Sequence, residues 1–165
     1  MQDLFRRDCK RREITLLGIV GVKNRIMEDN QDVRWRQRYC NYHKACRKIR
    51  ELVDSGCAVD DFSDLEREGV IQRFEYTYEL AWKVLQDYLL YKGYAFVSGP
   101  NGTLQMAFED GLISNHDGWR RMGMARNLAS HTYNEVEARE IATNVLNEYA
   151  PLLLSLDDKL AGLLI

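Results

Sequence analysis

Beyond residue 30, hydrophobic positions recur every three or four residues along most of the chain, the period of helices that bury one face. From Asp32 to about Ser55 the stripe is Val33, Tyr39 or Cys40, Ala45 or Cys46, Ile49 and Val53, with Gly56 as a natural stop. Ser63-Asp64-Leu65-Glu66 then has the form of a capping box. Ile71, Phe74, Tyr78, Trp82, Leu85 and Leu89 follow in near-heptad order as far as Gly93. Because Phe74, Tyr78 and Trp82 continue in phase with Leu85 and Leu89, all three read as core and not as a surface for stacking bases.

A loop around Gly99-Pro100-Asn101-Gly102 leads into a short helix from Thr103 to Asp110, which Gly111 ends. A further helix is expected from about His116 to His131, so the third element is broken in two. Asn134 is placed to cap the last helix, with Glu135 and Glu137 in its first turn and Ile141, Val145, Tyr149, Leu152, Leu156 and Leu160 facing inward. Pro151 should kink that helix without ending it, since the stripe resumes in phase. Four long amphipathic elements with short connections predict an all-α fold, an up-and-down antiparallel four-helix bundle with a broken third helix.

Residues 1–28 differ in character. A basic run through Arg6, Arg7, Lys10, Arg11 and Arg12 precedes the apolar stretch Ile14 to Val22, which has no evident partner. Met27 directly precedes the acidic, helix-opening run Glu28 to Asp32, so the functional chain is expected to begin near Met27, with the bundle domain spanning 29–165. The apolar stretch is far shorter than the roughly twenty residues that span a bilayer, and no membrane association is expected. Cys9, Cys40, Cys46 and Cys57 show no metal-binding spacing and no nearby histidine pair, which points to reduced thiols and a cytoplasmic protein. A net charge of -2 gives no global attraction for nucleic acid, so any such contact must come from a local patch.

Candidate chemistry concentrates in Arg126-Asn127-Leu128-Ala129-Ser130-His131-Thr132-Tyr133. A guanidinium holds phosphate oxygens in a fork, and a histidine titrating near neutrality moves the proton that RNA self-cleavage requires. On an ideal helix Met122, Ala125, Leu128 and Ala129 share the inward face, while Met124, Asn127 and His131 point nearly opposite. His131 lies about 140° around from Arg126, so the two converge only if the helix distorts at its end or a second protomer contributes. Met124 on an otherwise polar face fits a partner surface. Arg120 and Arg121 form the best local basic patch for RNA, although such a pair is more often a solvated face. The plain alternative for Arg126 is an ion pair with Glu135 or Glu137; for His131, a helix C-terminal residue favoured by the dipole; for Tyr133, a packed phenol. Glu75 and Glu79 have the spacing of paired carboxylates, yet Glu79 with Lys83 reads as an ordinary surface pair, and no metal site is expected.

Three blocks together, Gln72-Arg73-Phe74-Glu75-Tyr76-Thr77-Tyr78-Glu79-Leu80-Ala81-Trp82-Lys83, Ala107-Phe108-Glu109-Asp110-Gly111-Leu112-Ile113, and Arg126 to Tyr133, resemble the HepT-like branch of the HEPN families, also described as nucleotidyltransferase substrate-binding proteins. The likeness runs from about Asp32 to the C-terminus in the right order. It implies a dimerising four-helix bundle encoded beside a minimal nucleotidyltransferase, in several cases a ribonuclease toxin neutralised by that partner. Arg126, His131 and Tyr133 match the family's motif, with Asn127 as the polar residue after the arginine. The resemblance implies that Arg126 and His131 line a cleft at the homodimer interface and that Tyr133 is the hydroxyl adenylylated by the cognate nucleotidyltransferase antitoxin.

The chemistry is self-consistent without metal or cofactor. His131 would deprotonate a ribose 2′-OH while Arg126 steadies charge on the phosphorane. An adenylyl phosphate on Tyr133 would occupy the place of the RNA backbone beside Arg126. The alternative is a non-catalytic subunit that presents substrate to the nucleotidyltransferase.

Overall fold

In the structure, a computed structural model describing residues 30–129 and 134–164, helical order is set by local end signals. The expected N-terminal extension, with its Ile14 to Val22 stretch, lies outside the described residues, as do His131 and Tyr133.

Helix α1 occupies 30–54 and stops at Gly56, whose φ of +64° is a left-handed conformation open to glycine at no steric cost. Helix α2, Asp64–Tyr91, begins with the predicted capping box: Glu66 N–H donates to Ser63 Oγ at 3.3 Å, and Ser63 N–H donates to Glu66 Oε2 at 2.8 Å. It ends in a Schellman turn on Gly93, with Tyr94 N–H donating to Leu89 O at 3.0 Å and Gly93 N–H to Leu90 O at 3.0 Å. Helix α3, Gly99–Glu109, starts four residues earlier than expected, because Pro100 sits in its first turn, where a missing N–H costs nothing. Gly111 closes it with the same turn geometry, Leu112 N–H donating to Ala107 O at 2.9 Å. Helix α4 is His116–Ala129, and Gly118 N–H in its first turn donates to Asn115 Oδ1 at 3.0 Å.

The last rod departs from expectation in an informative way. Asn134 caps helix α5, Glu135–Asn144, accepting from Val136 N–H at 2.9 Å as predicted. A π-helical turn, Val145–Tyr149, then precedes helix α6, Ala150–Ala161. Pro151 has no N–H to donate and its ring crowds the carbonyl four residues back, so one wider turn ahead of it accommodates the ring without ending the rod. The extra residue shifts the register. Ile141, Val145 and Tyr149 are buried as expected and Ala150 joins them, but the next fully buried leucine is Leu153, with Leu152 only partly covered, before Leu156 and Leu160 resume the stripe.

Contacts define the packing directions. Residues 36, 43 and 46 of α1 meet 164, 157 and 153 of the last rod, so these two run antiparallel. Trp35 meets Tyr88 edge to face with centroids 5.0 Å apart, and Arg34 and Arg38 both pair with the buried carboxylate of Asp87, which makes α1 antiparallel to α2. Helix α2 is central, packing on α3, α4, α5 and α6, and stacks Phe74 on Tyr149 of the π turn with centroids 5.3 Å apart. Two glycines of α4 permit close approach. A Cβ on Gly118 would stand 2.8 Å from Leu152 Cδ1, and one on Gly123 would stand 2.7 Å from the Tyr78 hydroxyl oxygen. The fold is an all-α bundle whose third element is divided between α3 and α4. No described helix is long and apolar enough to cross a membrane.

Candidate functional site

The last two turns of α4 face the middle of α2, and the N-terminal half of α3 forms the opposite wall of a cleft of about 560 Å³. Tyr78, Glu79 and Trp82 line it from α2, Pro100, Asn101, Leu104 and Gln105 from α3, and His116, Arg120, Gly123, Met124, Arg126 and Asn127 from α4. Helical periodicity produces this grouping: 78, 79 and 82 lie on one face of α2, while 116, 120, 123 and 127 lie on one face of α4.

Glu79 is the hub. Its Oε1 stands 3.1 Å from Arg126 Nε; its Oε2 accepts from Trp82 Nε1–H at 3.1 Å and lies 3.4 Å from Lys83 Nζ. The Arg126 and Glu79 side chains are 34% and 30% exposed, so the pair is held at the cleft mouth and not sealed in the core. Arg126 Nη1 reaches Asn127 Oδ1 at 3.4 Å. Beneath them the Tyr78 phenol is pushed up to about 12, first by burial and then by the nearby Glu79 charge, against the opposing pull of Arg126. Tyr78 therefore stays neutral at any physiological pH and contributes shape and a hydroxyl.

The remaining polar groups vary in how far they are committed. Arg120 lies 3.9 Å from Asp117 and is about half exposed, leaving it available to the cleft. The His116 ring leans on Phe108 with centroids 5.5 Å apart. Asn101 and Gln105 bring amides that both donate and accept.

The structure thus brings together Arg126, Asn127 and Arg120 and separates Arg121 from them. Arg121 points to the other side of α4, where its Nε donates to Glu148 Oε1 at 2.9 Å on the π turn. The expected Arg120–Arg121 patch is two separate cations, since neighbours in a helix sit about 100° apart. The plain alternative weighed for Arg126 finds a different partner, and one further expectation, for Leu128, is corrected. Arg126 is ion-paired to Glu79, while Glu135 is taken up by Arg67 at 3.3 Å and Arg139 at 3.7 Å. Leu128, expected on the inward face, is 52% exposed; Met124 at 60% is outward as predicted. His131 and Tyr133 lie outside the described residues.

Sequence reasoning missed the place of Glu79 and Trp82. Both sit on the strongest helix of the chain, and an i, i+3 contact between an acid and an indole is legible only once another element defines the cleft above them. A second, larger depression of about 750 Å³ at the start of α2 is lined by Asp64, Glu68, Glu75 and Glu135 around Arg67. Arg67 is already bonded to Phe62 O and paired with Asp64 and Glu135, so this depression is acidic and unsuited to phosphate. Among the described residues no three His, Cys, Asp or Glu side chains are grouped to hold a metal ion, and Cys40, Cys46 and Cys57 are not joined in disulfides.

A comparison with curated protein sequences gives no match. Among solved structures, a crystal structure of a protein from Thermus thermophilus is similar, with 37% sequence identity and a TM-score of 0.64 over 72% of this chain and 98% of that one. The family described as "Nucleotidyltransferase substrate binding protein like" matches residues 37–162, which takes in every wall of the cleft. The chain belongs to the nucleotidyltransferase substrate-binding protein family.

Proposed function

We propose that this protein is the HEPN-type toxin of a two-component system, a metal-independent endoribonuclease held in check by a cognate minimal nucleotidyltransferase. The observation that carries the reading is the placement of Arg126: a partly exposed guanidinium fixed by Glu79 at the mouth of a cleft, beside Asn127 and sharing that cleft with Arg120. A fixed cation at an open cleft is what a phosphodiester in its transition state requires, because preorganised charge needs no reorganisation when the phosphorane forms. Family membership supports the nucleotidyltransferase partner.

In this mechanism His131 takes the 2′-OH proton, the 2′ oxygen attacks the adjoining phosphorus, and the 5′ oxygen of the next nucleotide departs with a proton returned from the solvent or the base. The products are a 2′,3′-cyclic phosphate and a 5′-hydroxyl end. Arg126 binds the non-bridging oxygens and Asn127 supports it. Two copies of the chain form the working homodimer, and adenylylation of the Tyr133 hydroxyl silences it by placing a phosphate beside Arg126.

A non-catalytic reading retains one specific support. Glu79 already offsets part of the Arg126 charge, as suits a cation that binds a substrate for a partner without driving bond cleavage. The decisive experiment compares wild type with His131→Ala for cleavage of cellular RNA in EDTA, using protein purified without its partner and shown by mass spectrometry to carry no adenylyl group. Cleavage by wild type alone, leaving a 2′,3′-cyclic phosphate, is the expected result. Absence of cleavage by either protein gives the lead to the substrate-binding reading.

A further inference from the structure

Trp82 differs from the other two tryptophans of the chain. Trp35 and Trp119 are sealed in the core at 0% and 1% exposure, whereas Trp82 is only partly buried and forms part of the cleft wall. The indole is also held in orientation. Its Nε1–H is fixed on Glu79 Oε2, and the other oxygen of the same carboxylate holds Arg126 Nε. One carboxylate therefore sets an aromatic plane and a guanidinium relative to each other. Lys83 Nζ, 5.4 Å from the indole centroid, already uses the π face as a cation partner. From α3 the amides of Asn101 and Gln105 border the same space, and Arg120 adds a second cation from α4.

A flat ring, a fixed cation nearby and amides that pair with either donors or acceptors are the groups that bind a nucleotide unit by base, phosphate and base edge. Core packing alone would not require the ring to border the cleft or its N–H to bond the same carboxylate that pairs with the cleft arginine.

We infer that Trp82 is a stacking platform for one base of single-stranded RNA, set so that the adjoining phosphate meets Arg126 and Arg120. The inference rests on the ribonuclease reading above and narrows its substrate to unpaired segments, because a base inside an A-form duplex cannot leave its stack to lie on an indole. Selection among bases is weak at this platform, since every base offers a π face and the two amides suit any edge.

The test titrates wild-type protein, Trp82→Leu and Trp82→Phe with a fluorescein-labelled 2′-O-methyl hexa-adenylate, which lacks the attacking hydroxyl, and with an abasic hexamer of the same backbone. Anisotropy reports affinity. Intrinsic fluorescence, read with unlabelled oligonucleotide, reports Trp82, because Trp35 and Trp119 are shielded. Expected are quenching of wild type by the hexa-adenylate, affinity about tenfold or more above the abasic hexamer, a loss of about tenfold in Trp82→Leu and recovery of most of it in Trp82→Phe. Equal binding of the two hexamers by wild type overturns the platform, and so does a Trp82→Phe variant as weak as Trp82→Leu at unchanged melting temperature. The wild-type comparison stands even if Trp82→Leu fails to fold.

Cleavage of unmodified RNA in EDTA, measured in parallel, separates the two ideas. Cleavage without base-dependent binding keeps the ribonuclease and removes the platform. Base-dependent quenching without cleavage keeps the platform and transfers it to the substrate-binding reading, and absence of both overturns both.

Discussion

Glu79 Oε1 and Arg126 Nε face each other at 3.1 Å, joining the middle of α2 to the last turn of α4. The carboxylate offsets part of the arginine's charge while the ion pair restrains the orientation of the guanidinium at the cleft mouth. Charge and orientation therefore respond in opposite senses when the carboxylate is removed.

For Glu79→Gln we expect tighter and slower behaviour together. Loss of the negative charge should raise the affinity for a short single-stranded RNA at low salt by about threefold, because the phosphate then meets a cation that Glu79 no longer offsets. Loss of orientation should slow RNA cleavage by about tenfold, since misplacing a group that contacts the transition state costs on that order or more. Both partners are about one-third exposed, so the change in folding stability should stay within about 1 kcal/mol. Anisotropy, a cleavage time course and a thermal melt check the three parts, and parallel loss of affinity and cleavage would refute the orienting role.

Gly123→Ala tests the fit of α4 on α2. The added methyl would meet the Tyr78 hydroxyl oxygen at 2.7 Å, which should destabilise the bundle by about 1–3 kcal/mol and lower the melting temperature by several degrees. Tyr78→Phe removes the clashing atom and leaves Cζ at 3.4 Å, so the double variant should recover most of the loss. Additive losses in the double variant would place the strain elsewhere.

Ser63→Ala removes the side-chain half of the capping box at the start of α2 and should cost about 1 kcal/mol, measured by denaturant unfolding at neutral pH. Hydrogen bonds from the Ser63 side chain, and then from its backbone, hold the Glu66 carboxyl below its ordinary value of 4.5. A depressed folded-state value means that the contribution is fully present above 4.5 and is lost as pH falls through the folded-state value below it. The gap between wild type and Ser63→Ala should therefore narrow in unfolding curves taken progressively below pH 4.5. A constant gap would show that Glu66 has no part in the cap.

Much of the architecture was legible because end signals act locally. The Ser63–Glu66 box, the Asn134 cap and the stops at Gly56, Gly93 and Gly111 lie within a few residues of the backbone groups they satisfy. Tertiary relationships were less legible. Leu128, which the wheel assigns to the core face, sits near the end of α4 and is half exposed. Leu152 gave way to Leu153 because a one-residue change of pitch cannot be read from a stripe that fits an ordinary helix nearly as well. The plain alternative weighed for Arg126 was an ion pair with nearby Glu135 or Glu137, whereas the carboxylate that pairs with it comes from a helix distant in sequence. Trp82 followed the core stripe, yet only the arrival of α3 and α4 decides that part of its ring borders an open cleft.

The π turn at Val145–Tyr149 also bears on how the chain tolerates changes of length. An inserted or deleted residue in a straight helix rotates everything downstream by about 100° and turns its buried side chains outward. Here the rod already carries one residue more than an α-helix between the faces of Ile141 and Leu153 needs. Removing a single residue from 145–149, together with Pro151→Ala, would convert the wide turn to α-helix while keeping Leu153, Leu156 and Leu160 aimed at the core. In a rod otherwise intolerant of indels, this one turn is a built-in slack of one residue, and shorter relatives would be expected to differ there without any change in the bundle around it.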